Sequence, residues 1–146
     1  QCYGLFQNTV LHAIIAISQE DQKRFNIVRY DTDDLVIGGF AKMISYIEES
    51  LQPDLLTIYS DNCVSDGSLY ANAGFTVESE IAPDYRYVIG TKRCDKFDFG
   101  IQKFRDDPSF LWEEGMTEEE LARLNGIDRI WDAGKIKWVK QGIQHR

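Results

Sequence analysis

Three groups of residues in this chain have types and spacings that can do chemistry. Gly38-Gly39 stands between a strand-like run and a helical one. Glycines there let a phosphate approach exposed backbone N–H groups, and the helix dipole favours the negative charge. The same pair also serves a plain turn. Neither the Gly-Lys-Ser/Thr of a phosphate loop nor the spaced triple glycine of a dinucleotide-binding turn is present. Asp61 closes the apolar run Leu55-Leu56-Thr57-Ile58-Tyr59, a strand-end position at which α/β sheets build ligand sites. It reads as a base, an acceptor-orienting group or a turn cap. Asp31, Asp33 and Asp34 form an acidic connector ahead of the glycines, either a solvated turn or a lure for a cationic acceptor such as an amine. Their spacing fits no Mg²⁺ or Ca²⁺ loop. Cys63 has no histidine near it in sequence to activate it as a nucleophile. Cys2, Cys63 and Cys94 share no zinc-ligand spacing with His12 or His145, so no metal site is expected.

The elements that must position these groups follow from periodicity. Tyr3 to Phe6 and Val10 to Ser18 read as strands joined by a tight turn at Gln7-Asn8-Thr9, and Phe25 to Tyr30 alternates as a third strand. Phe40, Ile44, Ile47 and Leu51 recur at helical spacing, with Lys42, Ser45, Glu48 and Glu49 facing away, until Pro53 stops the helix. Leu55 to Tyr59 is a buried-type strand; Ser68 to Ala73 is a brief helix ended by Gly74 in a left-handed cap. Phe75 to Glu80 and Tyr85 to Ile89 are further strands. In the last third, Thr117-Glu118-Glu119-Glu120 is a capping box with Met116 and Leu121 as its hydrophobic staple, and the helix stops at Asn125-Gly126. Asp128 to Val139 reads as a hairpin turning at Asp132-Ala133-Gly134. Trp112, Trp131 and Trp138 anchor the tail on the core or, in a sharper reading, offer stacking platforms for bases. The strand and helix order gives an α/β (α+β) sheet with crossover helices. The expected division is a core over residues 1–100 and a helix-hairpin appendage over 101–146, packed on that core.

Composition bounds the function. The net charge of −8 is uneven: residues 1–90 hold 5 Lys/Arg against 13 Asp/Glu, whereas residues 91–146 hold 11 of each. The acidic front half repels a phosphate backbone. Any DNA contact belongs to the rear half, where Lys92-Arg93, Lys103 with Arg105, and Lys135 with Lys137 and Lys140 cluster; a solvated mixed-charge face is the plainer reading. Three well-separated cysteines suit reduced thiols in the cytoplasm. No apolar run reaches the ~20 residues that span a bilayer. The opening Gln1-Cys2-Tyr3 lacks a basic region, a long apolar segment and an initiator Met, as expected of a piece cut from a longer protein without a signal peptide.

The succession of strand, Gly38-Gly39 loop and helix, strand Leu55 to Tyr59, and Leu69-Tyr70-x-x-x-Gly74-Phe75 resembles the core of GNAT-type N-acyltransferases. The resemblance implies a mixed, mostly antiparallel sheet that begins at the family's second strand, lacking the first strand and helices. It implies acetyl-CoA or another acyl-CoA as donor, its pyrophosphate on Val36, Ile37, Gly38, Gly39, Phe40 and Ala41. Tyr70 would then be the general acid, with Asp61 or Asp31 as base; a tyrosine suits that role because its ordinary pKa of about 10 keeps it protonated at neutral pH. The other reading of Tyr70 is a helix residue packed on the sheet. A second resemblance spans nearly the whole chain. Gly4-Leu5-Phe6, Val36-x-Gly38-Gly39-x-x-Lys42, Tyr59-Ser60-Asp61, Pro83-x-Tyr85-x-Tyr87-Val88, Gly115-Met116-Thr117-Glu118-Glu119-Glu120 and Arg129-Ile130-Trp131-Asp132-Ala133-Gly134-Lys135 are similar to a phage-encoded domain. That domain lies downstream of homing-endonuclease domains related to very-short-patch repair nucleases. The resemblance implies a DNA context: an acyltransferase acting in DNA modification, a non-catalytic DNA-contacting domain, or a phage protein that binds a host factor.

Overall fold

Period-2 alternation governs the first half of the chain. Ala13, Ile15 and Ile17, with Phe25, Ile27, Leu56 and Ile58, put one buried residue at every second position, so their strands share one apolar face. The computed structural model describes residues 1–142; His145 and the end of the expected 101–146 segment lie outside the described residues. Strands β1 (Cys2–Gln7), β2 (Val10–Asp21) and β3 (Arg24–Thr32) form an antiparallel meander. The β1–β2 turn has positive φ at Asn8 (51°) and Thr9 (83°), the two-residue hairpin geometry whose twist matches that of strands.

Helix α1 (Gly39–Leu51) crosses over to β4 (Leu55–Asp61), which pairs parallel with β3. Phe40, Met43, Ile44 and Ile47 of α1 are buried against the apolar sheet face, and Gln52 at φ 45° ends the helix ahead of Pro53. A short helix α2 (Ser68–Asn72) leads through Gly74, at φ 88°, to β5 (Thr76–Ile81). The sheet is completed by the last strand, named β9 (Lys135–Gln141) by its place in the chain, which lies antiparallel between β4 and β5. The strand order is β1-β2-β3-β4-β9-β5, with β3–β4 its single parallel pair among the described residues. This mixed, mostly antiparallel α+β sheet is the fold class expected.

Residues 82–133 make a second unit with a core of its own. It holds β6 (Tyr85–Ile89), β7 (Lys92–Cys94), a 3₁₀ turn at Lys96–Asp98, α3 (Ile101–Asp106), α4 (Glu118–Leu124) and β8 (Asp128–Trp131). Its three strands order β7-β6-β8. Tyr87, Phe99, Phe104 and Leu121 fill its core, with Met116 packed against it. The capping box is made as read: Glu120 N–H donates to Thr117 Oγ1 at 3.3 Å and Thr117 N–H to Glu120 Oε2 at 2.8 Å.

Two expectations are corrected. The segment Asp128 to Val139 is not a hairpin: β8 pairs with β6 in the small sheet and β9 with β4 and β5 in the large one. Asp132-Ala133-Gly134 separates the two strands without pairing them, because pairing partners are a long-range property that local turn chemistry does not encode. The division at residue 100 falls inside the second unit, between the 3₁₀ turn and α3; the chain divides instead after residues 81 and 133. Ile81 lies opposite Lys135 in the large sheet, so residues 82–133 are an insertion where a hairpin turn would suffice.

Candidate functional site

The parallel pairing of β3 with β4 runs from Arg24↔Leu55 to Ile27↔Ile58 and stops, although β3 continues to Thr32 and β4 to Asp61. Val28 is the cause on the β3 side. It is an extra residue between Ile27↔Ile17 and Arg29↔Ala16, a bulge that bends a strand and ends its pairing. Beyond it the facing edges of β3 and β4 are open to each other, forming a mouth at the C-terminal ends of two parallel strands.

The loop into α1 enters beside that mouth. Gly38, at φ 71°, is the N-cap, and α1 has neither a side-chain cap nor an acidic residue in its first turn. Gly39 N–H donates to Val36 O at 3.1 Å and Lys42 N–H to Gly38 O at 3.0 Å. Among the described residues the N–H groups of Phe40 and Ala41 have no acceptor, so two orphan donors of the helix start remain open. Gly39 is obligatory for a packing reason: a Cβ there would sit 2.7 Å from Val36 Cγ1 and 3.0 Å from the Tyr30 hydroxyl. Within the expected cradle, Phe40 is buried whereas Ile37 is nearly fully exposed, so the backbone of 38–41 rather than the side chains is what the loop presents.

Tyr70 lies on α2 in a cluster of rings. Its centroid is 5.5 Å from Phe40, 6.5 Å from Phe75 and 6.0 Å from Trp138. Burial pushes its hydroxyl above the ordinary tyrosine pKa, which keeps it protonated. Tyr30, on β3 beyond the bulge, packs edge-on to the other side of this cluster, 5.0 Å from Phe40, and burial raises its pKa too. Neither hydroxyl has a hydrogen-bond partner among the described residues. The site therefore holds two unspent hydroxyl donors where the sequence suggested one. Tyr30 was missed because strand alternation alone does not tell a core aromatic from one at a strand mouth.

Trp138 fixes the position of α2. Its Nε1 donates to Ser60 Oγ at 2.8 Å, and Ser60, near the end of β4, is only 1% exposed. Gly67, the N-cap of α2 at φ 77°, stands where a Cβ would be 2.0 Å from Trp138 Cζ2. The indole is thus wedged under the first turn of α2 and tethered to β4. Trp138 anchors the tail as expected, through a strand that completes the sheet.

The acidic candidates are placed less favourably. Asp61 is half-buried at the end of β4, and its Oδ1 accepts the Cys63 N–H at 2.8 Å, so the carboxylate shapes the turn that follows. Asp31 neighbours Tyr30 on β3 and therefore points to the opposite sheet face, away from Tyr70, where it is ion-paired with Arg29. Asp33 lies 3.6 Å from His12 Nδ1, a histidine–carboxylate pair that sequence spacing could not reveal. Cys63 is exposed. Among the described residues no group of three or more His, Cys, Asp or Glu is placed to hold a metal ion, and no helix is long and apolar enough to cross a membrane.

No protein-family model matches the sequence, and no curated protein matches it. Solved structures do match the fold. An acetyltransferase from Bacillus subtilis in complex with CoA aligns with TM-score 0.55 and 14% identity, over 97% of this chain and 76% of that one. The ribosomal-protein-S18-alanine N-acetyltransferase from Escherichia coli aligns with TM-score 0.57 and 10% identity, over 100% and 72%. A GNAT family acetyltransferase from Elizabethkingia anophelis with acetyl-CoA bound gives 0.52 and 17%, over 96% and 74%. At these identities the likeness is one of fold: the chain shares the fold of these acetyltransferases.

Proposed function

We propose that the chain is an acyl-CoA-dependent N-acyltransferase with Tyr70 as its general acid. The observation that carries this reading is the conjunction at one strand mouth. There the open N–H groups of Phe40 and Ala41 lie at an uncapped helix start, and the Phe40 ring packs 5.5 Å from that of Tyr70, whose protonated hydroxyl has no partner among the described residues. The N-terminal end of α1 suits a pyrophosphate, because donors and dipole both favour an anion. Val36, Ile37, Gly38, Gly39, Phe40 and Ala41 would hold it. The structural neighbours with CoA or acetyl-CoA bound support the donor class.

In the reaction, the lone pair of a neutral amine attacks the thioester carbonyl carbon. The C–S bond breaks, and the departing thiolate takes the Tyr70 proton. The proton lost by the amine nitrogen goes to Asp61 as base, since Asp31 faces the other side of the sheet and is ion-paired with Arg29, and returns through solvent to the Tyr70 phenolate. The products are an amide and the free thiol. By resemblance the acceptor is DNA or DNA-linked and the setting is the cytoplasm of a phage-infected cell, downstream of a homing-endonuclease domain.

A second reading is a non-catalytic GNAT-like scaffold, and one observation favours it. Asp33 and Asp34 stand directly ahead of the loop, where their charge opposes a pyrophosphate. Calorimetric titration with acetyl-CoA separates the two. Saturable binding that Gly39→Ala abolishes supports the transferase, and no binding at millimolar ligand rejects it.

A further inference from the structure

The bulge at Val28 decides where Tyr30 points. Ile27 lies opposite Ile17 and Tyr30 opposite Ile15, and both isoleucines are buried on the face that α1 covers. Residues 27 and 30 thus share a face, although plain alternation sends residues three apart to opposite faces. The extra residue resets the alternation and turns Tyr30 toward α1. There its ring stands edge-on to Phe40, with centroids 5.0 Å apart at 68°. Its hydroxyl lies 3.0 Å from where a Cβ on Gly39 would be, against the first residue of α1 and one residue ahead of the open Phe40 N–H. That hydroxyl has no protein partner among the described residues, and burial, by raising its pKa, keeps it a donor. Tyr70 meets the same Phe40 ring from α2, at 5.5 Å.

We propose that the Tyr30 hydroxyl donates a hydrogen bond to the pyrophosphate of the acyl-CoA donor, beside the N–H groups of Phe40 and Ala41. The assignment rests on the transferase reading and adds a binding residue to it. Composition shows why such a donor matters here. From Asp31 to Ala41 the chain has three aspartates and no Lys or Arg, so the cradle meets its anion with neutral donors alone. A hydroxyl is one more, and its bond to a charged oxygen is stronger than one to a neutral acceptor. Because the ring is already held edge-on by Phe40, little side-chain freedom remains to be lost on binding. The two tyrosines then divide the work: Tyr30 holds the donor at the start of α1, and Tyr70 on α2 gives up the proton.

The test compares Tyr30→Phe with the unaltered chain on two ligands. Acetyl-CoA is titrated by calorimetry. S-acetylpantetheine, which carries the same thioester without a pyrophosphate, is followed by ligand-observed NMR. Tyr30→Phe should weaken acetyl-CoA about tenfold or more, the loss of one hydrogen bond to a charged group, and leave S-acetylpantetheine unchanged. A role in packing alone would move both ligands or neither. Since the hydroxyl bonds to no described residue and the ring stays, the melting curve should not shift. Tyr70→Phe should leave both affinities as they are. If acetyl-CoA binds Tyr30→Phe as tightly as the unaltered chain, this assignment fails while the transferase reading stands. Equal losses for both ligands put the hydroxyl on the thioester arm and overturn it too. Failure of the unaltered chain to bind acetyl-CoA rejects the transferase reading, and this assignment falls with it.

Discussion

Gly67→Ala tests the wedge that sets Tyr70. At Gly67 two costs combine. A φ of +77° disfavours an L side chain by about 1–2 kcal/mol. The added methyl would also lie 2.0 Å from Trp138 Cζ2 and 2.7 Å from Cε2, an overpacking that costs about 1–3 kcal/mol more. Gly38→Ala is the matched control. Its φ is +71°, yet nothing lies within 4 Å of the added Cβ, so it bears the backbone cost alone. The difference between the two variants is then the steric cost, about 1–3 kcal/mol by urea unfolding. At roughly 2–4 °C per kcal/mol for a chain of this size, Gly67→Ala melts below Gly38→Ala by roughly 2–12 °C. Shrinking the indole with Trp138→Leu should recover the steric part, giving a coupling of about 1 kcal/mol or more in a double-mutant cycle. Because Tyr70 rides on the helix that Gly67 caps, Gly67→Ala should lower kcat of acyl transfer more than it raises KM for acyl-CoA. Equal stability of the two variants, with no coupling to Trp138, would refute the claim that the indole positions α2.

Tyr70→Phe removes the proton donor and should lower kcat about 10²–10⁴-fold with acyl-CoA affinity unchanged by calorimetry. Because burial raises the Tyr70 pKa above its ordinary value of 10.0, the protonated form persists as pH rises through neutrality. The wild-type rate should therefore not decline below about pH 10; a basic limb near pH 8 that vanishes in Tyr70→Phe would contradict the assignment. Replacing residues 82–134 with Asn-Gly, a two-residue hairpin turn, should leave the six-stranded sheet folded, since Ile81 and Lys135 are already paired. Acetyl-CoA affinity should survive the excision, and an insoluble or unfolded product would show that the insertion is required. Thr117→Ala removes the α4 cap and should cost about 1 kcal/mol in thermal melts, against no measurable change if the capping box is idle.

What was legible in the sequence, and what was not, divides by range. The α1 stripe Phe40, Ile44, Ile47, the Thr117 capping box and strand Tyr85–Ile89 each follow from a few adjacent residues, and the structure places them where the periodicity puts them. The partners of β8 and β9 do not. Turn residues at 132–134 announce a reversal, yet Trp131 pairs with Tyr85 and Lys135 with Asp61 and Ile81, all far back in the chain. The candidate site splits the same way. Gly38-Gly39 and Tyr70 stood out locally, whereas Ser60, Trp138 and Tyr30 acquire meaning only once β9 inserts beside β4 and β3 bulges at Val28. Gly67 shows why this matters. As a residue in a motif it reads as a flexible link before a helix. In the fold it is the one residue small enough to admit an indole beneath the first turn of that helix. The glycine and the tryptophan, 71 positions apart in the sequence, are a single steric device, and they stand or fall together when either is changed.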